Sequence, residues 1–573
     1  MQSVSMVYDV RSIHSIRELI ETSVDMYAER TAFVLKNKNR MYELTYEKLF
    51  SDIRALSSVL CAKGLEHQKI AVIGKNSYAW ALTYLTVTSG VGIIVPVDKD
   101  LKGPEIENIL TLSGAAAVVY ADELSKTIEA IPLPLEKIAM RDLDALLSQG
   151  EAMRLMGDRA YEAHKVDPFS LGILLYTSGT TGVAKGVMLS QYNICANIVS
   201  VAKNVCITCE DRVLSVLPLH HTYECMAGFL SIMYAGGSIA YASGLMHLLA
   251  DFREYKPTAL LAVPLLLKSI HAGLIKKIKA VPGGSAYLRV GRSVAALPGV
   301  GERVASGIFR SVHEAFGGRL RIILSGAASL DPEIYRDFER MGFRVLCGYG
   351  LTETAPVCIM HNDRVHSPGT VGVPVNGVQA KIVEPNEEGI GELVVKGPNV
   401  MLGYYNDPVE TAKVLDADGW FHTGDLAKCD PKAGEYTITG RLKTMIVIDN
   451  GKKVFPEEIE YLFEKCPTVA ECMAYGSKNE KDETVVTVKL YPNFDRLTEL
   501  GIISGFDPKA ADGGLSDSDE KAVEDYFKTL LKNEINPHLP AYKAVRKLRI
   551  RHREFDKTST RKIRRSSADN LEE

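Results

Sequence analysis

The feature that most constrains the fold is a regular alternation of short apolar runs with amphipathic stretches between Leu44 and Tyr120. Three of its segments predict helix, strand and helix in turn: "YEKLFSDIRALSSVLCAKG", which ends at Gly64, then "KIAVIGK" and "GPEIENILTLSGA". Alternating strands and helices need crossover connections, which favour a mostly parallel sheet with helices on its faces. The alternation recurs at "RVLSVLPLHH", "PTALLAVPLLLKSI" and "RLRIILSGAASL", so we expect an α/β fold.

One stretch of this region, from Asn76 to Val97, carries no charge over a length that could span a bilayer. Its first half is a helical pattern, and a glycine-punctuated turn then leads into the β-branched run "GIIVPVD". That order predicts a buried helix that feeds a strand, and not a transmembrane span.

The pattern changes after Gly377, where short strands with Gly and Asn turns replace the longer alternation. "FPEEIEYLFEKCP" and "DSDEKAVEDYFKTLLKNEIN" predict helices, and "DETVVTVKLYP" predicts a strand. We therefore expect a large N-terminal domain of mostly parallel αβ-layered sheets over residues 1–440. A small mobile α+β domain is expected over residues 441–573.

Composition limits the class of function. Of the 573 residues, 46% are hydrophobic and 24% charged, with a net charge of -4, as in a soluble enzyme. Between Ala541 and Arg565, eleven Lys or Arg stand against two acids. Such a run is typical of a solvated tail, but positive charge confined to one segment also favours a small anionic ligand over nucleic acid.

The N-terminus lacks the apolar core of a signal peptide, and the sparse cysteines lie mostly in apolar strings, which favours a reducing, cytoplasmic location. Cys206 and Cys209 form the one close pair. A zinc site would need a second Cys/His pair at ligand spacing, and the sequence offers none nearby.

The stretch "LLYTSGTTGVAKGVMLS" carries the strongest chemical signal. An apolar strand is followed by a dense Ser/Thr/Gly run, whose backbone N–H groups and hydroxyls can form a nest for phosphate oxygens. The run is not a P-loop, because Gly186 follows the lysine where Ser or Thr should stand. The alternative is a plain solvated loop. The candidate phosphate-binding residues are Thr177, Ser178, Gly179, Thr180, Thr181, Gly182 and Lys185.

This loop closely resembles the signature of the adenylate-forming (AMP-binding) superfamily, which includes acyl-CoA synthetases, adenylation domains and luciferases. Further motifs match in the family's order: "LPLHHTYE", "LSGAAS", "GYGLTET", "GWFHTGD", "GRLK" and "KTSTRKIRR". The matches cover about Leu44 to Arg565. Two positions depart from the family pattern, Ala184 where proline is usual and Arg561 where glycine is usual.

The resemblance implies an acid–thiol ligase that uses ATP, Mg²⁺ and CoA. A carboxylic acid becomes an acyl-adenylate with release of pyrophosphate, and CoA then displaces AMP. Its catalytic residues would be Lys562, His221, Thr352 and Glu353. Its nucleotide contacts would add, to the loop and Lys185, Gly326, Ala327, Ala328, Tyr349, Gly350, Asp425 and Arg441. Glu353 and Thr180 would hold magnesium, and Lys443 would be the hinge.

The acid itself is left open. The long connection between Pro264 and Ser325 resembles the bacterial long-chain fatty acyl-CoA synthetase branch, but medium-chain, aryl and steroidal acids remain alternatives, as does an acyl-carrier protein as acceptor. The connection reads as basic amphipathic helices, which either pack on the body or make peripheral contact with the inner membrane face.

Two further alternatives concern the class of protein. One is a stand-alone adenylating enzyme, and the other is a regulatory or nucleic-acid-binding module. The final residues, "SSADNLEE", match nothing and are expected to be a solvated end.

Overall fold

The computed structural model describes residues 7–37, 40–178, 184–295, 297, 302–448, 452–507, 514–557, 563–565, 567 and 570. Within them, no helix is both long enough and apolar enough to cross a membrane.

Among the described residues, the strands fall into five sheets. In chain order they are β1 Thr31–Asn37, β2 Arg40–Thr45, β3 Lys69–Ile73, β4 Ile93–Val97, β5 Ala117–Tyr120, β6 Glu136–Ala139, β7 Leu171–Ser178, β8 Ala184–Ser190, β9 Arg212–Ser215, β10 Ser238–Tyr241, β11 Ala259–Ala262, β12 Ile322–Ser325, β13 Arg344–Gly350, β14 Val357–Met360, β15 Val373–Pro374, β16 Gln379–Val383, β17 Gly391–Lys396, β18 Gly403–Tyr404, β19 Phe421–Cys429, β20 Tyr436–Arg441, β21 Ile446–Val447, β22 Lys453–Val454, β23 Val469–Lys478, β24 Thr484–Pro492 and β25 Val545–Ile550.

The α-helices are α1 Ile16–Tyr27, α2 Tyr46–Ala62, α3 Tyr78–Thr86, α4 Gly103–Ser113, α5 Ser125–Ala130, α6 Leu143–Leu155, α7 Ala160–Ala163, α8 Gln191–Ala202, α9 Ser231–Tyr234, α10 Leu248–Tyr255, α11 Pro264–Lys279, α12 Gly284–Ala295, α13 Glu302–Ile308, α14 Arg310–Ala315, α15 Pro332–Arg340, α16 Pro408–Val414, α17 Pro456–Glu464, α18 Phe494–Glu499 and α19 Asp517–Leu530.

Two large sheets dominate. Sheet A has the strand order β18-β8-β7-β4-β3-β5-β6, and sheet B the order β15-β14-β13-β12-β11-β9-β10-β1-β2. The pairs from β7 to β6 in sheet A, and from β13 to β1 in sheet B, are parallel. Antiparallel strands occupy the remaining positions. The expectation of an α/β fold with mostly parallel sheets is confirmed.

Local sequence signals explain why several elements begin and end where they do. The Thr45 hydroxyl accepts the backbone N–H of Lys48 and caps α2, and Gly64, with φ of 74°, follows the end of that helix. The uncharged stretch from Asn76 forms α3, a short π-helical turn and β4, as predicted. Strand β4 is buried along most of its length.

The connection between β11 and β12 folds into α11 to α14, as the helical pattern predicts. Leu267, Leu274, Leu288 and Phe309 bury their side chains in the core cluster of sheet B. His271 Nε2 also lies 2.9 Å from a carboxylate oxygen of Asp337 on α15. One face of this connection is thus packed on the body of the protein.

Packing divides the chain into two compact units. Unit 1 contains residues 1–381, 394–422 and 430–437, and unit 2 contains residues 382–393, 423–429 and 438–573. Besides short strands, unit 2 contains the sheet β23-β24-β25 against α17 and α19, around a core that includes Phe463, Val488 and Phe527. The boundary between Gly440 and Arg441 that the sequence suggested stays a prediction.

We expect Gly150→Ala to destabilise unit 1. Gly150 of α6 lies against the backbone of α2, and a Cβ there would stand 2.0 Å from the carbonyl oxygen of Ala55. Overpacking of this kind typically lowers the free energy of unfolding by about 1–3 kcal/mol. Gly273→Ala in α11 is the matched control, because nothing lies within 4 Å of its Cβ position.

The free energy of unfolding of the Gly273→Ala control should rise by about 0.5–1 kcal/mol, since glycine is a poor helix former. Thermal unfolding midpoints of both variants would measure the difference. Equal shifts in the two would mean that α2 and α6 do not pack through this glycine.

Candidate active site

Loops that carry predicted site residues leave the same edge of sheet B. His221 follows β9, Gly326 follows β12, and Glu353 follows β13. Strands β9, β11, β12 and β13 are neighbours and parallel, so their carboxyl ends meet at one edge. Open α/β sheets bind ligands at that edge.

The carboxyl edge of sheet A joins this edge through one asparagine. Asn76, just after β3, donates from its side-chain nitrogen to the Ser215 hydroxyl at 3.0 Å and to the Leu217 carbonyl at 2.7 Å. Its side-chain oxygen accepts the backbone N–H of Leu219 at 2.9 Å. The loop that leads to His221 is therefore held between the two sheets.

A second contact crosses the same junction. His220 Nε2 lies 3.5 Å from a carboxylate oxygen of Asp98, the residue that follows β4. The His220 side chain is buried and its ring stands 4.2 Å from that of His221, which is half-buried. Of the two histidines, the predicted His221 is the one with solvent access.

The predicted phosphate loop connects the antiparallel strands β7 and β8, in which Thr177 pairs with Lys185 and Ser178 with Ala184. Gly179, Thr180, Thr181 and Gly182 lie outside the described residues, so their assignments stay predictions. Because the strands on both sides are paired, the chain enters and leaves the loop at adjacent positions.

Lys185 and Glu353 are brought together through Tyr404. Lys185 Nζ lies 2.5 Å from Glu410 and 5.1 Å from the centre of the Tyr404 ring. The Tyr404 hydroxyl donates to Glu353 Oε1 at 2.9 Å. Hydrogen bonds from Lys185 and Lys413 lower the pKa of Glu410 to about 2, and burial together with Glu353 raises that of Tyr404. The result is a partly buried chain of charged and polar groups.

Thr352 and Glu353 lie in a short 3-10 turn, Thr352–Thr354, and both are half-buried. Asn399 supports the turn by donating to the carbonyl oxygens of Thr354 and Val357 at 2.8 and 3.1 Å. The backbone N–H of Met401 donates to the Glu353 carbonyl at 2.9 Å. The Glu353 side chain is thus carried by a fixed backbone.

Two glycines of the predicted nucleotide site are required by close packing. A Cβ on Gly326 would lie 2.8 Å from the Tyr223 ring, and one on Gly350 would lie 1.8 Å from the Pro356 carbonyl. Ala327 holds a left-handed φ of 70°, and Ala328 is exposed in the loop that follows β12. Tyr349 is half-buried on β13, opposite Ile359.

Glu224 is a buried acid that the sequence did not single out, although it stands in the "LPLHHTYE" motif. Burial raises the pKa of its carboxyl group to about 8, against a smaller lowering by the Ser215 hydroxyl and the backbone of Leu217. A Cβ on Gly228 would stand 2.7 Å from Glu224 Oε1, so the acid fills the space above this glycine. At neutral pH the group is mainly the uncharged acid.

Unit 2 brings together two of the predicted ribose-site residues. Asp425 on β19 is buried, and its Oδ1 lies 3.0 Å from Arg441 Nε at the end of β20. Lys443 is exposed in the following 3-10 turn, Leu442–Thr444, whose Thr444 hydroxyl donates to Glu457 at 3.2 Å.

Lys562 and Arg561 lie outside the described residues, but the chain that follows them is anchored. Arg565 makes two contacts of 2.6 Å with the carboxylate of Glu460 on α17. Asn570 is fully buried and donates to the Asp556 and Arg564 carbonyls. The expectation of a solvated end is wrong at Asn570, because its amide is used in hydrogen bonds within unit 2.

Cys206 and Cys209 are free and half-buried, and neither belongs to a potential metal cluster of the described residues. The Cys206 backbone N–H donates to Asp363 at 3.1 Å. Cys195 and Cys347 are buried, as their apolar surroundings suggest. Burial raises the pKa of the Cys347 thiol to about 12, which keeps it protonated.

Glu224→Gln should remove a pH dependence of stability. Between pH 4.5, the ordinary pKa, and about 8, the folded state binds a proton that the unfolded state has lost. The contribution of this proton to the free energy of unfolding is fully present below the ordinary pKa. It is lost as the pH rises through the pKa that the carboxyl group has in the folded protein. The variant's stability relative to the wild type should therefore rise with pH, by at most about 1.4 kcal/mol per unit.

Urea unfolding at a series of pH values from acid to alkaline measures this difference. Glu387→Gln, at an exposed position, is the matched control for the loss of one glutamate. A Glu224→Gln difference that stays constant with pH would show that Glu224 is ionised in the folded protein.

Comparisons with known proteins agree with the geometry. The family model described as AMP-binding enzyme matches residues 20–405. Long-chain-fatty-acid–CoA ligase 3 of Saccharomyces cerevisiae is 31% identical over 565 residues, covering 86% of this chain and 78% of the yeast protein. The peroxisomal long chain acyl-CoA synthetase 6 of Arabidopsis thaliana is 34% identical over 346 residues, covering 56% of this chain and 48% of that protein.

The match therefore spans about half the length of the Arabidopsis relative. Among solved structures, the o-succinylbenzoate CoA synthetase of Bacillus subtilis in complex with its acyl-adenylate superposes with a TM-score of 0.71. It is 22% identical, and the match covers 97% of this chain and 98% of that one, which establishes a shared fold. Because the family model matches most of its length, the chain belongs to the AMP-binding enzyme family.

Proposed function

We propose that the protein is an ATP-dependent acid–thiol ligase whose acid is a long-chain fatty acid. In the first step a carboxylate oxygen attacks the α-phosphorus of ATP, and the bond to the β-phosphate breaks to release pyrophosphate. In the second, the thiolate of CoA attacks the acyl carbon, and the bond to AMP breaks. The observation that carries the proposal is the link from Lys185 through Tyr404 to Glu353, at the sheet edge where β13 ends.

The first step brings together two anions, so it needs cations and N–H donors that hold the reactants in line. Lys185 supplies a positive charge next to the Ser/Thr/Gly loop, and the Thr352 hydroxyl is a donor for the α-phosphate. To take up phosphate, Lys185 exchanges its contact with Glu410 for one with the nucleotide.

Magnesium fits the donors at Glu353. Mg²⁺ prefers hard oxygen ligands, and the Glu353 carboxylate supplies them, with Thr180 as the second proposed protein ligand. The Tyr404 hydroxyl fixes the carboxylate by donating to Oε1. When bound, Mg²⁺ neutralises charge on the phosphate oxygens.

Within unit 1, the proposed adenine contacts are Tyr349, with Gly350 behind it, and the 326–328 loop. Within unit 2, the two oxygens of Asp425 accept the ribose hydroxyls. Arg441, 3.0 Å from Asp425, orients that carboxylate and can also reach phosphate.

The acid is placed by His221. The residues on either side of it, His220 and Thr222, line a narrow and mostly apolar cavity of about 10 Å³ in unit 1, which must widen to admit an acyl chain. Its lining includes Tyr84, Ile173, Leu219, Cys225, Met226 and Leu230. These side chains suit an aliphatic chain better than a charged or strongly polar acid. Because the helices α11 to α14 already bury one face, we favour packing over membrane attachment for them, and a cytoplasmic location.

Pyrophosphate release across a panel of fatty and aryl acids, with and without CoA, tests the proposal. Release with long-chain acids and thioester formation with CoA are expected. Release without a thioester, and transfer to an acyl-carrier protein instead, would favour a carrier-loading enzyme. If no acid caused pyrophosphate release, the result would contradict both the acyl-CoA ligase and the carrier-loading enzyme.

Lys562→Ala should lose roughly 10²–10³-fold or more in adenylation, the scale for one preorganised donor. In our proposal Lys562 bridges the acyl carboxylate and the α-phosphate, and Lys443 is the hinge that lets its domain move between steps. Thioester formation from supplied acyl-adenylate should largely survive. Pyrophosphate exchange and thioester assays separate the two steps.

Arg553→Ala is the matched control, because Arg553 is an exposed cation of the same basic segment. It should leave both steps near the wild-type rate. Equal losses in both steps for Lys562→Ala, or no loss in either, would remove Lys562 from the adenylation step.

A further inference from the structure

Two histidines and a glutamate meet at the end of sheet A opposite the proposed active site. Glu66 and His67 precede β3, whose other end leads to Asn76, and His164 follows α7. Glu66 Oε1 lies 2.6 Å from His164 Nε2 and 3.4 Å from His67 Nε2. One ligand atom from each of the three residues lies within 4.8 Å of the others.

The protons of His164 are fixed by its backbone contact. His164 Nδ1 lies 2.5 Å from the Ala160 carbonyl oxygen, which can only accept, so Nδ1 carries the proton. In the neutral ring Nε2 then presents a lone pair. The His164 side chain is only 7% exposed, and Nε2 is buried without a hydrogen-bond partner among the described residues.

Glu66 Oε1 is the central atom of this cluster, 2.6 Å from His164 Nε2 and 3.4 Å from His67 Nε2. A cation placed among the three ligand atoms would contact both histidines and the carboxylate. An ion pair of Glu66 and His164 alone would leave the His67 ring outside the interaction.

The backbone holds the third ligand in position. His67 adopts a left-handed φ of 60°, and its N–H donates to the Val91 carbonyl at 2.6 Å. The rings of His67 and His164 are 5.7 Å apart. A Cβ on the neighbouring Gly90 would stand 3.1 Å from the His164 Cβ, so the segments are closely packed.

We propose that Glu66, His67 and His164 bind a divalent transition metal of the zinc type. Two imidazole nitrogens and one carboxylate oxygen form a common three-ligand zinc set, which leaves a coordination position for water. Metal bonds of about 2.0–2.1 Å in a tetrahedron place ligand atoms roughly 3.4 Å apart. The 3.4 Å between Glu66 Oε1 and His67 Nε2 already fits this value. The half-exposed Glu66 side chain can rotate to widen the 2.6 Å between Glu66 Oε1 and His164 Nε2.

The positively charged side chain nearby does not block the three proposed metal ligands. The nearby Arg17 guanidinium donates to the backbone carbonyls of Tyr161 and His164 and pairs with Glu21, so it does not occupy the ligand atoms. The donors favour zinc over magnesium, which prefers oxygen ligands. A bound metal would fasten the segment before β3 to the segment after α7 and stabilise unit 1.

Zinc titration of the nucleotide-free, EDTA-treated full chain by calorimetry tests the site. We expect one equivalent to bind, with affinity lowered about 10- to 100-fold or more in His67→Asn, His164→Asn and Glu66→Gln. Asparagine tolerates the left-handed backbone at position 67. At position 164 its amide can still donate to Ala160. The exposed Glu66→Gln variant should fold even if the histidine variants do not.

His14→Asn is the matched control, because His14 is also exposed beside a glutamate, Glu18, at 3.4 Å. It should bind zinc like the wild type, and zinc should raise the unfolding temperature of both proteins but not of the three site variants. A cobalt(II) spectrum without thiolate charge-transfer bands would exclude the cysteines as ligands.

Pyrophosphate release should be unchanged in all four variants, because the cluster does not touch the reacting groups. The proposal is overturned if the wild type takes up no zinc, if its cobalt spectrum has thiolate bands, or if the site variants bind zinc as the wild type does. In each case the cluster is an ion pair of Glu66 and His164 only.

Discussion

The geometry of unit 1 depends on three hydrogen bonds made by one amide. Asn76 donates to Ser215 and Leu217 and accepts from Leu219, so it ties the end of β3 to the loop after β9. Backbone groups at the ends of parallel strands have lost their ladder partners, and a side-chain amide can satisfy a donor and acceptors together. The loops that carry His221 and the phosphate-binding residues consequently start from sheets that are fixed to each other.

Within each unit, the charged groups of the candidate site have ion-pair or hydrogen-bond partners. In unit 1, Lys185 pairs with Glu410 and Glu353 accepts a hydrogen bond from the Tyr404 hydroxyl. In unit 2, Asp425 pairs with Arg441. Partly buried charges need such partners, since an unpaired charge in low dielectric is costly. Phosphate oxygens can take over the contact that Lys185 makes with Glu410, and ribose hydroxyls can donate to Asp425, so these pairs suit the proposed ligase.

The sequence predicts features that depend on neighbouring residues, but it does not predict contacts between residues that are far apart in the chain. The sequence predicts the end of α2 just before Gly64 and the start of α17 at Pro456, because caps and breakers act within one helical turn. It does not predict the contacts of Glu410, Tyr404 and Asn76, since their partners lie far away along the chain. The expectation of a solvated Asn570 fails because composition cannot reveal a hydrogen bond to a distant part of the chain. The roles of Thr180 and Lys562 stay predictions.

The buried carboxyl group of Glu224 has a consequence for calorimetry. Around neutral pH the folded protein keeps this proton, while the unfolded chain releases it to the solvent. The heat measured on unfolding then contains the heat with which the buffer takes up the proton. Phosphate and Tris differ strongly in that heat, so the apparent enthalpy of unfolding will differ between them even though the protein undergoes the same transition in both.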